Sequence, residues 1–347
     1  MNILSSLKQG FKLASRTKRM ILFAWFLNVL FAMVLAFPVL KQLEGYLRDT
    51  VMDEKVLSQL DPAWAEGYRV DMEKSEYTRS LDYTMFSYAP FLSQLEMQME
   101  GGFVRTLAGF LYDFFVRWEL NPGPTSLLFF ISLLYVCVNT FVAGGFVGMY
   151  SRDYRSTFPE FLMEGARNFG RFFRIALVAL LVYYLIFSYL VSWINTSISQ
   201  WTENDASETV PFLYYMIRNV VVLFLIAFLF MIFDYARIRM VVDDRTSSLG
   251  ATVAGARFAV SNILQTYGLY LLLTFIGVVL ITAYAVIEKS MPQESYWPLL
   301  FLFVIQQCYV VARLWLKAGF YGSQISLYRT VTKEEHLKSV SAAPSTT

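Results

Sequence analysis

Cysteine, histidine and charge are all scarce in this chain of 347 residues. Its two cysteines, Cys137 and Cys308, lie inside apolar runs, which argues against a disulfide framework and a cysteine-based metal site. The single histidine, His336, lies in the polar C-terminal tail, so the chain lacks the residues for a histidine triad or a multi-histidine metal site. We therefore predict neither a metal nor a cofactor.

Only 16% of the residues are charged and 56% are hydrophobic, whereas about a quarter of a soluble chain is charged. The apolar residues gather in long runs, and about 20 of them are needed to cross the ~30 Å hydrocarbon core of a bilayer. Six runs meet this requirement: 20–40, 125–148, 172–194, 212–236, 265–287 and 297–318. The sequence therefore predicts an all-α polytopic membrane protein with six transmembrane helices.

The basic residues predict the orientation of the chain. Residues 1–19, 149–174, 234–263 and 313–347 hold 19 of the 29 Lys and Arg residues but only 8 of the 27 Asp and Glu residues. Because cytoplasmic loops are enriched in Lys and Arg, both termini are predicted to be cytoplasmic. We expect the first span to remain uncleaved, in a cell membrane of the bacterial inner-membrane type.

The chain contains an internal repeat at an offset of 90 residues. Residues 153–157 begin Asp-x-Arg and are followed by Gly-Ala-Arg at 165–167, and residues 243–247 are followed by Gly-Ala-Arg at 255–257. The pattern extends weakly to the N-terminus through Gly10, and to the last span through a Gly-Phe-x-Gly shared by 145–148 and 319–322. It predicts three helix-pair repeats, each with a short cytoplasmic helix, a span outward, a loop and a span back.

The short helices are predicted to be amphipathic and interfacial. A capping box, Thr157-x-x-Glu160, should start a helix that lies at the headgroup level and turns sharply into the next span. Thr332-x-x-Glu335 should start another such helix after the last span. The arginines of these segments either form a generic positive-inside cap or contact lipid headgroups. The headgroup candidates are Arg155, Arg167, Arg171, Arg174, Arg245 and Arg257.

Residues 41–123 form the one large insertion, with 14 acidic and 8 basic residues. Their periodicity predicts helices at 41–60 and 91–118 in an extracytoplasmic insert that could bind another envelope protein. The domains are then 1–40 (amphipathic helix and first span), 41–123 (insert), 124–322 (five-span core with two interfacial helices) and 323–347 (cytoplasmic tail).

Several polar side chains are predicted to lie at membrane depth, where they are costly unless they are bonded. They are Asn28, Asn139, Gln306, Gln307, Asp234, Arg237 and Arg313. They either join helices by hydrogen bonds or line a polar path. Arg218 and Arg237 are 19 residues apart, about 28 Å along a helix, so each should reach one membrane interface.

Catalytic and nucleic-acid motifs are not found. The sequence has no phosphate-binding glycine loop, no metalloprotease motif and no nucleophile elbow, and its basic residues follow the membrane face.

The Gly-Ala-Arg segments and the amphipathic segments before spans resemble those of bacterial six-helix inner-membrane proteins. That group includes the membrane domain accompanying some glycerophosphodiester phosphodiesterases. The phosphodiesterase domain has no counterpart here, so the resemblance transfers no catalytic residue and implies work at the envelope or with membrane lipids.

The leading hypothesis is therefore a non-enzymatic scaffold, accessory subunit or lipid-handling factor that has membrane lipids as partners. The alternative is a passive transporter or channel whose path is lined by Asn28, Asn139, Gln306 and Gln307. A third reading is a lipid-modifying enzyme with its chemistry at residues 153–155 and 243–245, although these positions also suit helix starts and topology.

Overall fold

This computed structural model describes residues 3–49, 124–152, 157–203, 207–291 and 296–341, with isolated positions between 67 and 112. All regular elements in this described part are helical, as the sequence predicts. We number those with complete bounds as follows: α1 Ile3–Arg16, α2 Lys18–Asp49, α3 Pro124–Ser151, α4 Phe158–Leu185, α5 Ser192–Thr202, α6 Thr209–Val242, α7 Ser248–Ser261, α8 Ile263–Ser290 and α9 Tyr296–Ser341. A π-helical turn, Ile186–Val191, joins α4 to α5 without a break.

In the part of the chain that the structure describes, six helices are long and apolar enough to cross a membrane, which is the pattern of a multi-pass membrane protein. They are Lys18–Tyr46, Leu128–Ser151, Phe158–Thr202, Thr209–Val242, Ile263–Ser290 and Trp297–Lys333. The prediction of six spans is confirmed in number and in approximate position.

Each of the three short helical segments packs against the end of a long helix. The first turns of α4 pack on the end of α3, α7 packs on the end of α6, and α1 packs on the C-terminal part of α9. The last of these contacts brings the two ends of the chain together. As a result, the three short helical segments lie at one end of the bundle.

Glycine makes these three junctions close enough for backbones to touch. A Cβ on Gly255 would come within 2.6 Å of the Ala236 backbone nitrogen, and a Cβ on Gly322 would come within 2.9 Å of the Gly10 Cα. At the α3–α4 junction, a Cβ on Gly145 would meet the Phe161 ring at 2.6 Å. A side chain at these positions would push two helices apart.

Three details differ from the sequence predictions. Helix α4 runs straight from its N-cap at Thr157 into the span, so the sharp turn predicted after residues 158–174 is wrong. The other two short helices do end before their spans, at Thr17 and at Asn262. Helix α9 runs through Thr332, so the separate helix predicted to start there is wrong. Helix α2 continues past residue 40, where the first span was predicted to end.

These differences have one physical cause. A capping box or a change in polarity marks where a helix can begin, but a helix breaks only where the backbone leaves helical geometry. Residues 168–174 contain no proline, and the i to i−4 hydrogen bonds continue through them. The start of the predicted helix at 41–60 is helical to Asp49, while the rest of it and the helix at 91–118 lie largely outside the described residues.

Candidate functional site

The charged residues of the described part concentrate at the end of the bundle where the short helices meet. We call this region the basic end, and it comprises α1, the end of α3 with Arg152, the first five turns of α4, the last turn of α6, the turn 243–247, α7, and α9 from Gly319 onward. Helix α9 connects the other parts of the basic end. The Tyr328 hydroxyl donates to the Asp243 carboxylate at 2.8 Å, and the Arg329 guanidinium donates to the Ser151 carbonyl. The Thr17 hydroxyl bonds the Tyr150 hydroxyl at 2.8 Å between the α1–α2 junction and α3.

A buried carboxylate lies at the centre of the α3–α4 junction. The side chain of Glu164 is 0% exposed, and its carboxylate is 3.3 Å from the Arg152 guanidinium and 3.7 Å from that of Arg167. The Asn168 amide donates to the same carboxylate at 3.1 Å. Glu164 therefore fixes two arginines whose side chains extend toward the surface.

A second ion pair joins α4 to the turn between α6 and α7. The Arg171 guanidinium donates to the Asp244 carboxylate at 2.8 Å, and this hydrogen bond lowers the pKa of Asp244 below its ordinary value of 3.8. Asp244 has a φ of 47°, in the left-handed region that Asp and Asn tolerate better than most residues. The pair contributes stability above the ordinary pKa and loses it as the pH falls through the lowered one.

The remaining arginines of the basic end differ in how tightly they are held. Arg245 pairs with Asp243 at 3.3 Å, Arg174 donates only to the carbonyl of Gly170 in its own helix, and Arg257 is exposed. Arg155 lies outside the described residues. Arg174 and Arg257 form no ion pair within the described residues, so their charges are available to a ligand at this end.

Two arginines at this end were missed by the sequence analysis. Arg152 reaches Glu164, and Arg239 donates to the Asp243 carboxylate at 3.0 Å and to the Ala254 carbonyl at 2.9 Å. Both lie in the last turn of a long helix or just after it. Basic residues are common at the cytoplasmic ends of spans, so the sequence does not mark these two as site residues. Their acidic partners come from a neighbouring helix or turn, and helical spacing alone indicates only the pairing of Arg239 with Asp243.

A cleft lies between α2, α3 and α9, and its enclosed space of about 20 Å³ is enough for about one water molecule. Two of the predicted membrane-depth residues, Asn28 and Asn139, line this cleft together with Tyr135 and Lys317. The Lys317 amine donates to the Asn139 side-chain oxygen at 3.1 Å, and the Tyr135 hydroxyl is 3.5 Å from the Asn28 side-chain oxygen. The other lining residues are mostly apolar: Ala24, Leu27, Phe31, Val138, Val142, Phe146, Leu314, Ala318 and Tyr321.

Positive charge exceeds negative charge beside this cleft. Arg237 and Arg313 lie within electrostatic range of the Lys317 amine, and Asp234 is the carboxylate that faces them. Asp234 is already paired with Arg237 at 3.0 Å and also accepts from the Gln324 amide at 3.3 Å. In the part of the chain that the structure describes, neither Lys317 nor Arg313 has an ion-pair partner.

The structure separates the other polar candidates from the cleft. Gln307 accepts a hydrogen bond from the Trp25 indole at 3.0 Å and so joins α2 to α9, while Gln306 is exposed on the outer surface of α9. Arg218 is 7% exposed and donates to the Asn195 oxygen at 2.7 Å, so it joins α6 to α5. The four-residue path of the sequence analysis is thus reduced to Asn28 and Asn139.

This arrangement suits the binding of an anion. Among the described residues, no group of three or more His, Cys, Asp or Glu side chains could hold a metal ion. Cations outnumber carboxylates at the basic end and at the cleft, and both regions adjoin the helices that could span a membrane. An anionic group at such a position gains from charge-assisted hydrogen bonds in a medium of low dielectric constant.

No protein-family model, curated protein or solved structure matches this chain.

Proposed function

We propose that this chain is a non-enzymatic, lipid-handling protein of the bacterial inner membrane that holds anionic lipid headgroups at its basic end. The observation that carries the proposal is the set of exposed cations at that end that form no ion pair with any residue the structure describes, above all Arg174 and Arg257. Helix α1 adds Lys8, Lys12 and Arg16, which are exposed along one helical face. Basic residues at the membrane surface attract anionic lipids by about 1 kcal/mol each.

The proposal places the basic end in the cytoplasm, with both termini on that side. The distribution of Lys and Arg over the sequence supports this orientation. The three helix junctions support a threefold repeat, because each joins a short helical segment to the preceding long helix, and the α9–α1 contact would close the series. The short helices would then lie at the headgroup level. Residues 41–123 would form the extracytoplasmic insert and a docking site for another envelope protein.

Lipid retention by charge-deleted variants tests this function. The full chain, purified in mild detergent, is titrated with phosphatidylglycerol or phosphatidylcholine, and bound lipids are counted by native mass spectrometry. The double variant Arg174→Gln and Arg257→Gln should weaken phosphatidylglycerol binding about tenfold to thirtyfold, at about 1 kcal/mol per charge. Lys289→Gln is the matched control, because Lys289 is an exposed cation in the last turn of α8 at the opposite end of the bundle.

Equal binding of the two lipids by the unaltered chain would contradict the proposal. Equal losses in the double variant and in Lys289→Gln would also contradict it, since the effect would then follow net charge and not the basic end.

A second candidate function is a passive path through the bundle. The observation in its favour is that Asn28 and Asn139 share one cleft. Replacing both by leucine should then abolish solute flux in liposomes, whereas unchanged flux would contradict this candidate. Most of the lining is apolar, and the Lys317 amine has no ion-pair partner among the described residues. Both features favour the binding of an amphiphile over the passage of water or cations.

A further inference from the structure

The cleft between α2, α3 and α9 extends about 10 to 16 Å along each of these helices, at 1.5 Å per residue. Its lining on α9 runs from Leu314 to Tyr321 and includes Lys317. This stretch of α9 adjoins the basic end, because Trp315 stacks on Phe11 of α1. Asn28 and Phe31 of α2 lie at the other end of the cleft.

The walls of the cleft suit an acyl chain. Leu27, Phe31, Val138, Val142 and Leu314 supply an apolar surface on all three helices. The helices are joined by few polar contacts: the Trp25–Gln307 bond holds α2 to α9, and the Tyr135–Asn28 contact holds α2 to α3. An acyl chain would lie against the open mouth of this cleft, where Leu27, Val138 and Leu314 are partly exposed.

The charges around Lys317 favour an anion. Lys317 and Arg313 are four residues apart and therefore lie on the same face of α9. The Lys317 amine donates to the neutral oxygen of Asn139, and Asp234, the carboxylate within electrostatic range of it, is already paired with Arg237. Three cations thus face one carboxylate, and a phosphate group at this position would balance the excess positive charge.

We infer that this cleft is a binding site for one anionic phospholipid, with its phosphate on Lys317 and Arg313 and an acyl chain along α2 and α3. The site goes beyond the surface binding at the basic end, although it rests on the proposed lipid-handling function. It differs from that surface in taking a single lipid and in needing an acyl chain as well as a phosphate.

Two variants and a conservative control test the site in the purified full chain. Lys317→Gln removes the charge, Val138→Trp fills the apolar part and leaves the charge, and Lys317→Arg keeps the charge. Native mass spectrometry with phosphatidylglycerol should show one tightly bound lipid in the unaltered chain and in Lys317→Arg. Its affinity should fall about tenfold or more in Lys317→Gln, which is the effect of losing one charge-assisted hydrogen bond, and binding of this lipid should be lost in Val138→Trp.

Soluble phosphate and the surface variants separate the alternatives. Inorganic phosphate and glycerol phosphate should not displace the lipid, because they lack the acyl chain that the cleft accommodates. The double variant Arg174→Gln and Arg257→Gln should lose weakly bound lipids and keep the tight one.

Four outcomes would overturn the inference. Retention of the tight lipid by both Lys317→Gln and Val138→Trp would place it elsewhere and leave the proposed function intact. Displacement by inorganic phosphate would make the site an anion site without a lipid requirement. Solute flux in liposomes that Val138→Trp blocks would make the cleft a path. The absence of any preference for anionic lipid would remove the proposed function and this site together.

Discussion

Replacing Glu164 by glutamine should destabilise the protein by about 3 kcal/mol, because the substitution breaks a buried ion pair by removing one partner. The Glu164 carboxylate is fully buried and is shared by the Arg152 and Arg167 guanidinium groups. Glutamine keeps the volume of the side chain but not its charge. The guanidinium of Arg152, whose side chain is only 20% exposed, would then lack a counter-charge.

The loss should appear as a lower midpoint of unfolding in mild detergent. Glu208→Gln is the matched control, because Glu208 is an exposed carboxylate just before α6, and its loss should change stability by less than about 0.5 kcal/mol. If Glu164→Gln unfolds at the same midpoint as the unaltered protein, the buried pair does not hold α3 against α4.

Replacing Gly255 by alanine should cost about 1 to 3 kcal/mol, because the added methyl group meets backbone and not a flexible side chain. Its Cβ would lie 2.6 Å from the Ala236 nitrogen and 2.8 Å from the Ala236 Cα, so α7 would have to move away from α6. The Arg239 bond to the Ala254 carbonyl, which spans the same contact, would lengthen with it.

Gly170→Ala is the control for Gly255→Ala, and it should raise stability where Gly255→Ala lowers it. Gly170 is exposed within α4, and a Cβ there meets no atom within 4 Å. Alanine should raise stability by about 0.5 to 1 kcal/mol through its better helix propensity. Thermal unfolding of the two variants should therefore move in opposite directions, and a shared direction would mean that the close α6–α7 contact is not what limits stability.

The six spans could be predicted because the signal for a span is local. A run of about 20 apolar residues identifies a span, whichever helices it packs against. The pairing of α1 with α9 could not be predicted this way, since Gly10 and Gly322 are 312 residues apart and the repeat pattern did not say which helices touch. Two glycines of that pattern, Gly319 and Gly322, form the contact with α1: their Cβ atoms would meet the Phe11 ring and the Gly10 backbone.

Glu164 was missed although a signal existed. Phe161, Glu164, Asn168 and Phe172 are buried at a spacing of three to four residues, so the helical period places Glu164 on the same face as the buried phenylalanines. An acidic residue on an apolar face indicates a buried partner. The prediction of an amphipathic helix here rested on the exposed arginines and did not take into account the face on which the carboxylate lies.

The cleft was predicted only in part, because helix rotation is a tertiary property. Asn28 and Asn139 do share a site, but the rotation of α9 directs Lys317 into the cleft and leaves Gln306 on the outer surface. Hydropathy averages over a helix and is insensitive to this rotation. Lys317 was counted only as one of the basic residues of 313–347, and no partner for it could be predicted from the sequence.

Accessibility of one position on each side of the membrane tests the central claim, a multi-pass bundle with its basic end in the cytoplasm. In a background with Cys137 and Cys308 replaced by serine, Ser207→Cys lies before α6 and Thr246→Cys lies in the exposed turn before α7. In intact cells, a membrane-impermeant maleimide should label position 207 and should label position 246 only after permeabilisation. Labelling of position 246 but not of position 207 in intact cells would contradict the account.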